Sequence, residues 1–284
     1  MTTTLHTTRP AAPGIIPGTS RPARTFGGSI FTKTLWDNRR VFAVWALATG
    51  LLATFYASFY PQLSAESMAS VPETMRGFGL DDMSSAAGYL QGPVFGLLVP
   101  LLVTFYGAAT GARMISADEE SGYLDLLLAH PIGRTRLMLQ RFTALAAGAA
   151  LIGVAVLVGL LAVRGSANLD TVSIGGFAAQ ALNLVLLGLL FGAVATGIGA
   201  ATGASRAVAF GATAGLGVLT YALHGFAPQI GADWLRYLTP FYYYISAEPL
   251  INSVHVGHVT VLVSAVVALI GASAWRLNRR DLNR

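Results

Sequence analysis

Residues 116–141, SADEESGYLDLLLAHPIGRTRLMLQR, form a charged island between two long apolar runs, 93–115 and 142–163. About 20 apolar residues suffice to cross the hydrocarbon core of a bilayer. The island is therefore a connection between two membrane-spanning helices. Asp118, Glu119 and Glu120 come first, Gly122 makes a break, and Leu124, Leu127 and Leu128 follow at helical spacing before Pro131. Arg134, Arg136 and Arg141 close the island. The spacing predicts a short amphipathic helix with one apolar stripe and polar flanks. Ser116 and Glu119 stand at capping-box spacing, which predicts a helical turn starting there with acids at its positive end. Pro131 and Gly133 stop the helix before the next span. Two roles fit the pattern. It is either a docking knob for a soluble partner, with charges setting the register, or a surface helix that merely joins two spans.

Working outward, the apolar runs set the architecture. Residues 41–60, VFAVWALATGLLATFYASFY, form an uncharged first span that Pro61 ends. The second and third spans are 93–115 and 142–163. The fourth is 174–202, longer than a perpendicular crossing needs and so expected to tilt or end in an interfacial turn. The fifth is 207–226 and the sixth 257–275. Polar segments at 62–92 and 227–254 lie between them, the second rich in aromatics. The predicted fold is an all-α membrane protein with six spans, a domain covering 26–284. Residues 1–25, rich in Thr, Pro, Ala and Arg, read as a disordered cytoplasmic tail. Residues 26–40 place Phe26, Ile30, Phe31 and Leu35 near one helical face. That is either an interfacial helix on the inner leaflet or the frayed start of the first span.

Charge sets the orientation. Fifteen of the 18 Lys and Arg residues fall on one side of this map, and only Arg76, Arg164 and Arg236 on the other. The positive-inside rule then puts both termini in the cytoplasm, which requires an even number of spans. The composition agrees: 54% hydrophobic and 11% charged, where a soluble domain carries about 25% charged residues. Mean hydropathy is +0.60 and the pI near 9.7. The basic balance belongs to topology rather than to nucleic acid, because the cations cluster beside the spans. The localisation expected is a plasma (cytoplasmic) membrane.

Several chemistries are excluded. There is no cysteine, hence no disulfide, thiolate zinc site or iron–sulfur cluster. Lys33, the single lysine, sits in Phe31-Thr32-Lys33-Thr34 and has no phosphate-loop context. The chain carries no P-loop ATPase of its own. The spans hold no Asp or Glu, the groups an ion-driven carrier keeps at membrane depth. Gln180 and Asn183 in the fourth span read as interhelical hydrogen-bonding groups, and Arg113 snorkels to the inner surface. His224, His255 and His258, with Asp233 and Glu248 near them in sequence, read as interfacial residues rather than a metal site. No catalytic set, cofactor or metal is expected. Gly107/Gly111, Gly188/Gly192, Gly199/Gly203 and Gly211/Gly215 give the small-residue spacing that lets helices approach closely. They serve packing within one subunit, or a sliding seam between two.

The run Glu119-Glu120-Ser121-Gly122-Tyr123-Leu124-Asp125-Leu126-Leu127-Leu128, with Pro131 and Arg134 after it, resembles the cytoplasmic coupling segment of type-2 ATP-binding-cassette (ABC) permeases. Tyr123 stands where Thr is usual, and His130 where Ser or Arg is frequent. Gly88-Tyr89-Leu90, the stretch LRYLTPFYYY at 235–244 with Pro249-Leu250, and the ending Arg279-Arg280-Asp281-Leu282 carry a weaker likeness; the N-terminal tail carries none. The resemblance implies the membrane subunit of an exporter, powered by separate P-loop ATPase subunits and paired with a second permease subunit, alike or different. It implies a coupling role for Glu119, Glu120, Gly122, Leu124, Leu127, Leu128 and Pro131. It also implies short helices dipping into the outer leaflet, with Phe241, Tyr242 and Tyr243 as a candidate outer gate. The alternative is a membrane anchor or assembly factor that recruits a cytoplasmic partner through the same helix and moves no solute.

Overall fold

The computed structural model describes residues 30–62, 85–120 and 133–279, all of whose regular structure is helical. Helix α1 spans Ile30–Ala57. Helix α2, Ala86–Tyr89, runs into a π-helical stretch, Leu90–Leu98, and on into α3, Val99–Glu120. Helix α4 is Arg134–Val163, α5 Ile174–Thr202 and α6 Arg206–Phe226. Two short helices follow, α7 (Pro240–Ile245) and α8 (Pro249–Asn252), before α9, Val256–Arg279. Among the described residues, six helices are long and apolar enough to cross a membrane.

The span boundaries differ from expectation in informative ways. Helix α1 is one unbroken rod of 28 residues, about 42 Å long, against a hydrocarbon core of about 30 Å. The turns read as an interfacial helix thus continue directly into the first span, and Lys33, Asp37, Arg39 and Arg40 ride on the part that overhangs. The second span begins before Pro93, not at it. Proline has no N–H to donate, and the chain absorbs this by widening to π geometry; the Val99 N–H donates to the Val94 carbonyl. The third span likewise starts earlier, at the N-cap Gly133, so that Arg136 and Arg141 sit in its first turns. Arg141 donates from Nη1 to the Met114 carbonyl at the end of α3's span, which ties the two helices across the charged island.

Packing follows from where side chains are small. Helix α5 is apolar on every face, so it takes the centre. In its most apolar 18-residue stretch 67% of residues are buried, against 17% for the corresponding stretch of α9, and α3, α4, α6, α7, α8 and α9 all lie against it. Gly107 and Gly111 of α3 meet Gly188 and Gly192 of α5. A Cβ at Gly107 would lie 2.4 Å from the Gly188 carbonyl oxygen, and one at Gly111 would lie 2.4 Å from that of Gly192. These pairs are therefore packing within one chain. Gly211 and Gly215 on α6 meet nothing within 4 Å.

The registers give direction. Phe42 packs on Gly148, Ala155 on Gly50 and Thr54 on Gly159, so α1 and α4 run parallel. The glycine crossing of α3 and α5 is parallel too. The Asn278 amide donates to the Thr135 hydroxyl, 2.9 Å away, which brings the end of α9 to the beginning of α4. The ends at Ile30 and Arg279 consequently lie on one side of the bundle, with the charged island. Helices α7 and α8 lie on the other.

Candidate functional site

Two places carry the predicted functional residues. On the side of the termini, α3 continues without a break to Glu120. Ser116 and Glu119 are thus inside a helix, and the capping box does not start one. An α-helix already in progress continues when nothing breaks it, and the first break in the sequence is Gly122. Glu119 and Glu120 end the described part of α3. Gly122, Leu124, Leu127, Leu128 and Pro131 lie outside the described residues, as do 1–29, 63–84 and 280–284.

On the opposite side, where residues 63–84 lie outside the described residues, the aromatics between Trp234 and His258 divide by role. Thr239 caps α7: its hydroxyl accepts from the Tyr242 N–H, and Pro240 occupies the first helical position. Phe241 and Tyr244, three residues apart, point inward and are each 1% exposed. The Phe241 ring lies 5.3 Å from Tyr221 and 5.9 Å from Phe191. It is a wedge in the core under α7, not a surface residue. Tyr242 and Tyr243 face the other way. Tyr242 stacks edge-on to Tyr237 at 4.6 Å and to Tyr243 at 5.3 Å, and both rings lie 5.4 Å from His258. The Arg236 guanidinium stands 5.7 Å over Tyr237 and over Tyr242. The three residues expected to form one gate therefore split into an anchor, Phe241, and a rim, Tyr242 and Tyr243.

What holds α7 down went unrecognised in the sequence. The last carbonyls of a helix have no partner within it. Here the amide of Asn183 on α5 donates to the Tyr244 carbonyl at 3.0 Å, and the amide of Gln91, in the π-helical stretch, donates to the Ile245 carbonyl at 3.1 Å. Two spans thus grip the C-terminal turn of the short helix. Asn183 does bond between helices, as its type and place predict, but its partner is the backbone of the short helix α7 rather than another span. The signal available was a pair of amides in the fourth apolar run and one just before the second, with no way to name the acceptor. Gln180, fully buried, faces the Tyr244 phenol, although neither makes a hydrogen bond of good geometry. Burial pushes that phenol well above its usual range, so it stays neutral.

The turn around α8 is strained. Glu248 before it has φ 50° and Ser253 after it has φ 63° and ψ −148°, conformations that cost about 1–3 kcal/mol each in residues other than glycine. Close packing enforces them. A Cβ at Gly176 of α5 would sit 2.5 Å from the Leu250 carbonyl oxygen. The His255 ring nitrogen Nδ1 accepts from the His258 N–H at 3.2 Å and caps α9, and the two imidazoles lie 4.4 Å apart. Among the described residues no three His, Asp or Glu side chains converge on a point where a metal could sit.

The arrangement is a bundle of six helices able to span, with an apolar, glycine-crossed centre, a short helix pair clamped on one face and the ends of a charged connection on the other. The family model described as ABC-2 family transporter protein matches residues 29–282. A search of the curated proteins finds no match. The match covers nearly the whole chain, and the chain belongs to the ABC-2 transporter family, whose members are membrane transport subunits that associate with ABC ATPases.

Proposed function

We propose that this ABC-2 family protein is the permease subunit of an exporter, moving a hydrophobic or amphiphilic substrate out of the cytoplasm. The observation that carries the reading is the family match over residues 29–282, set on a bundle with six helices able to span. Two permease subunits would frame the route, and two separate ATPase chains would bind beneath. The termini and the charged island face the cytoplasm, and the membrane is the plasma membrane.

Coupling is assigned to Glu119, Glu120, Gly122, Leu124, Leu127, Leu128 and Pro131. The leucines bury in a groove of the ATPase at about 1.5–3 kcal/mol each, and the acids set the register. Closure of the ATPases on ATP pushes this foot and tilts the spans. With α3 continuous to Glu120, a push delivered there travels along a rigid rod to the glycine crossing with α5. Leu127→Asp with Leu128→Asp is expected to leave the protein folded but to abolish substrate-stimulated ATPase activity of the reconstituted complex. Full stimulation by that variant would remove the coupling role.

Tyr242 and Tyr243 form the rim of an outer gate. Their replacement by Ala, which spares the Phe241 anchor, is expected to change transport several-fold at unchanged expression. Unaltered transport by the double variant would show that the rim is only an interfacial aromatic belt.

A further inference from the structure

The side of the bundle that carries the termini has an unused feature on α4. Successive residues of a helix turn by about 100°. Thr135, bonded to α9, therefore lies on one edge of α4, and Gly148, Ala155 and Gly159, packed on α1, on the other. Between these edges Arg136, Leu139, Thr143 and Ala150 are exposed. Thr143, Ala147 and Ala150 keep the strip low, α1 packs along one side of it and α9 meets the other side at Thr135, which makes a shallow trough. From Leu139 to Leu151 it measures about 18 Å, close to the roughly 15 Å depth of one leaflet's hydrocarbon.

Its mouth is basic and aromatic. Trp36 on α1 and Trp275 on α9 are 65% and 49% exposed. Each is covered by an arginine, Arg39 at 4.1 Å and Arg279 at 4.2 Å, with Arg276 5.5 Å from the second indole. Stacking on an indole holds a guanidinium in place; Arg39 is fixed further by donating from Nη1 to the Trp36 carbonyl at 2.7 Å. Among the described side chains on this side there are nine cations and one carboxylate, Asp37; the acids Asp118, Glu119 and Glu120 end α3 on the same side.

We propose that the trough binds one anionic phospholipid of the leaflet on the side of the termini. Arg136, Arg276 and Arg279 take the phosphodiester and headgroup, the two tryptophans flank the glycerol level, and an acyl chain lies along Leu139 to Leu151. A second copy of the chain is the poorer occupant, because a two-fold contact through this strip would bring the cation-rich ends of two copies to the same level. The identity of the leaflet rests on the orientation proposed above; the site itself does not.

The test uses the full chain in nanodiscs of equimolar phosphatidylglycerol and phosphatidylcholine, with spin-labelled versions of each lipid as probes. The wild type is expected to immobilise labelled phosphatidylglycerol preferentially. Arg136→Gln and Arg279→Gln are each expected to cut that preference about fivefold, the effect of one basic residue near a membrane surface. Ala147→Trp, which fills the floor without changing charge, is expected to abolish it. Arg113→Gln, on the same side but on α3, is expected to leave it unchanged. Equal losses in Arg113→Gln and Arg136→Gln would reduce the effect to diffuse surface charge and overturn the site. A disulfide between two copies through Thr143→Cys, in this cysteine-free chain, would give the trough to a second subunit and overturn it as well. Reaction of Ser205→Cys with an impermeant maleimide in intact cells would overturn the orientation alone.

Discussion

Gln180 and Asn183 are a single turn apart on α5 and equally buried, yet their replacement should have opposite consequences. Asn183→Leu strips the Tyr244 carbonyl of its donor in a site that water does not reach. An unpaired buried acceptor costs about 1–3 kcal/mol, so this variant should lose stability by that amount in thermal unfolding from detergent micelles. Gln180→Leu removes an amide whose nitrogen and oxygen lack well-formed hydrogen bonds. It sheds a desolvation cost and gives up little in return, and the expected change in melting temperature is zero or upward. Equal destabilisation by both variants would mean that the Gln180–Tyr244 contact is a full hydrogen bond after all. Sequence reading gave the two amides the same role, because periodicity reveals which residues are buried but not which backbone acceptor lies opposite. The same limit explains Phe241, Tyr242 and Tyr243. Adjacent aromatics look alike in a row, and only the helical turn of α7 sends one into the core and leaves the other two on the rim.

At the level of helices, the glycine pairs separate in the same way. Gly107 and Gly211 begin identical G-x-x-x-G spacings, but a Cβ at Gly107 would collide with the backbone of α5, while one at Gly211 would meet open space. Gly107→Ala must push α3 and α5 apart and is expected to cost at least 1–3 kcal/mol. Gly211→Ala should be neutral or gain up to about 1 kcal/mol of helix propensity. Thermal unfolding of the two variants side by side decides the matter, and comparable losses would show that α6 has a packing partner outside the chain. Hydropathy placed the six apolar runs well, and the fourth span is the same from Ile174 to Thr202 in both readings. It failed at the ends. Charges at Arg136 and Arg141 and the proline at 93 mark where a segment leaves hydrocarbon or loses a hydrogen bond, and neither event ends a helix by itself. α1 overhangs the bilayer for the same reason.

For the molecule as a whole, the open question is which face meets the cytoplasm. The parallel registers of α1 with α4 and of α3 with α5 make successive spans alternate, so the ends at Ile30 and Arg279 share a side. Geometry alone leaves the bundle free to be turned over; the orientation proposed above rests on the cationic excess on that side, which the positive-inside rule assigns to the cytoplasm. The absence of cysteine makes the test clean. Ser166 lies exposed in the turn between α4 and α5, and Ser205 lies exposed at the N-cap of α6, on opposite sides of the bundle. Ser166→Cys should react with an impermeant maleimide in intact cells, and Ser205→Cys only after the membrane is opened. Neither position contacts the glycine crossing or the amide clamp, so loss of fold would not confuse the result. The reverse pattern would turn the coupling segment proposed at Glu119 to Leu128 away from the compartment that holds ATP. No ATPase could then reach it, and a power stroke through α3 would have no source.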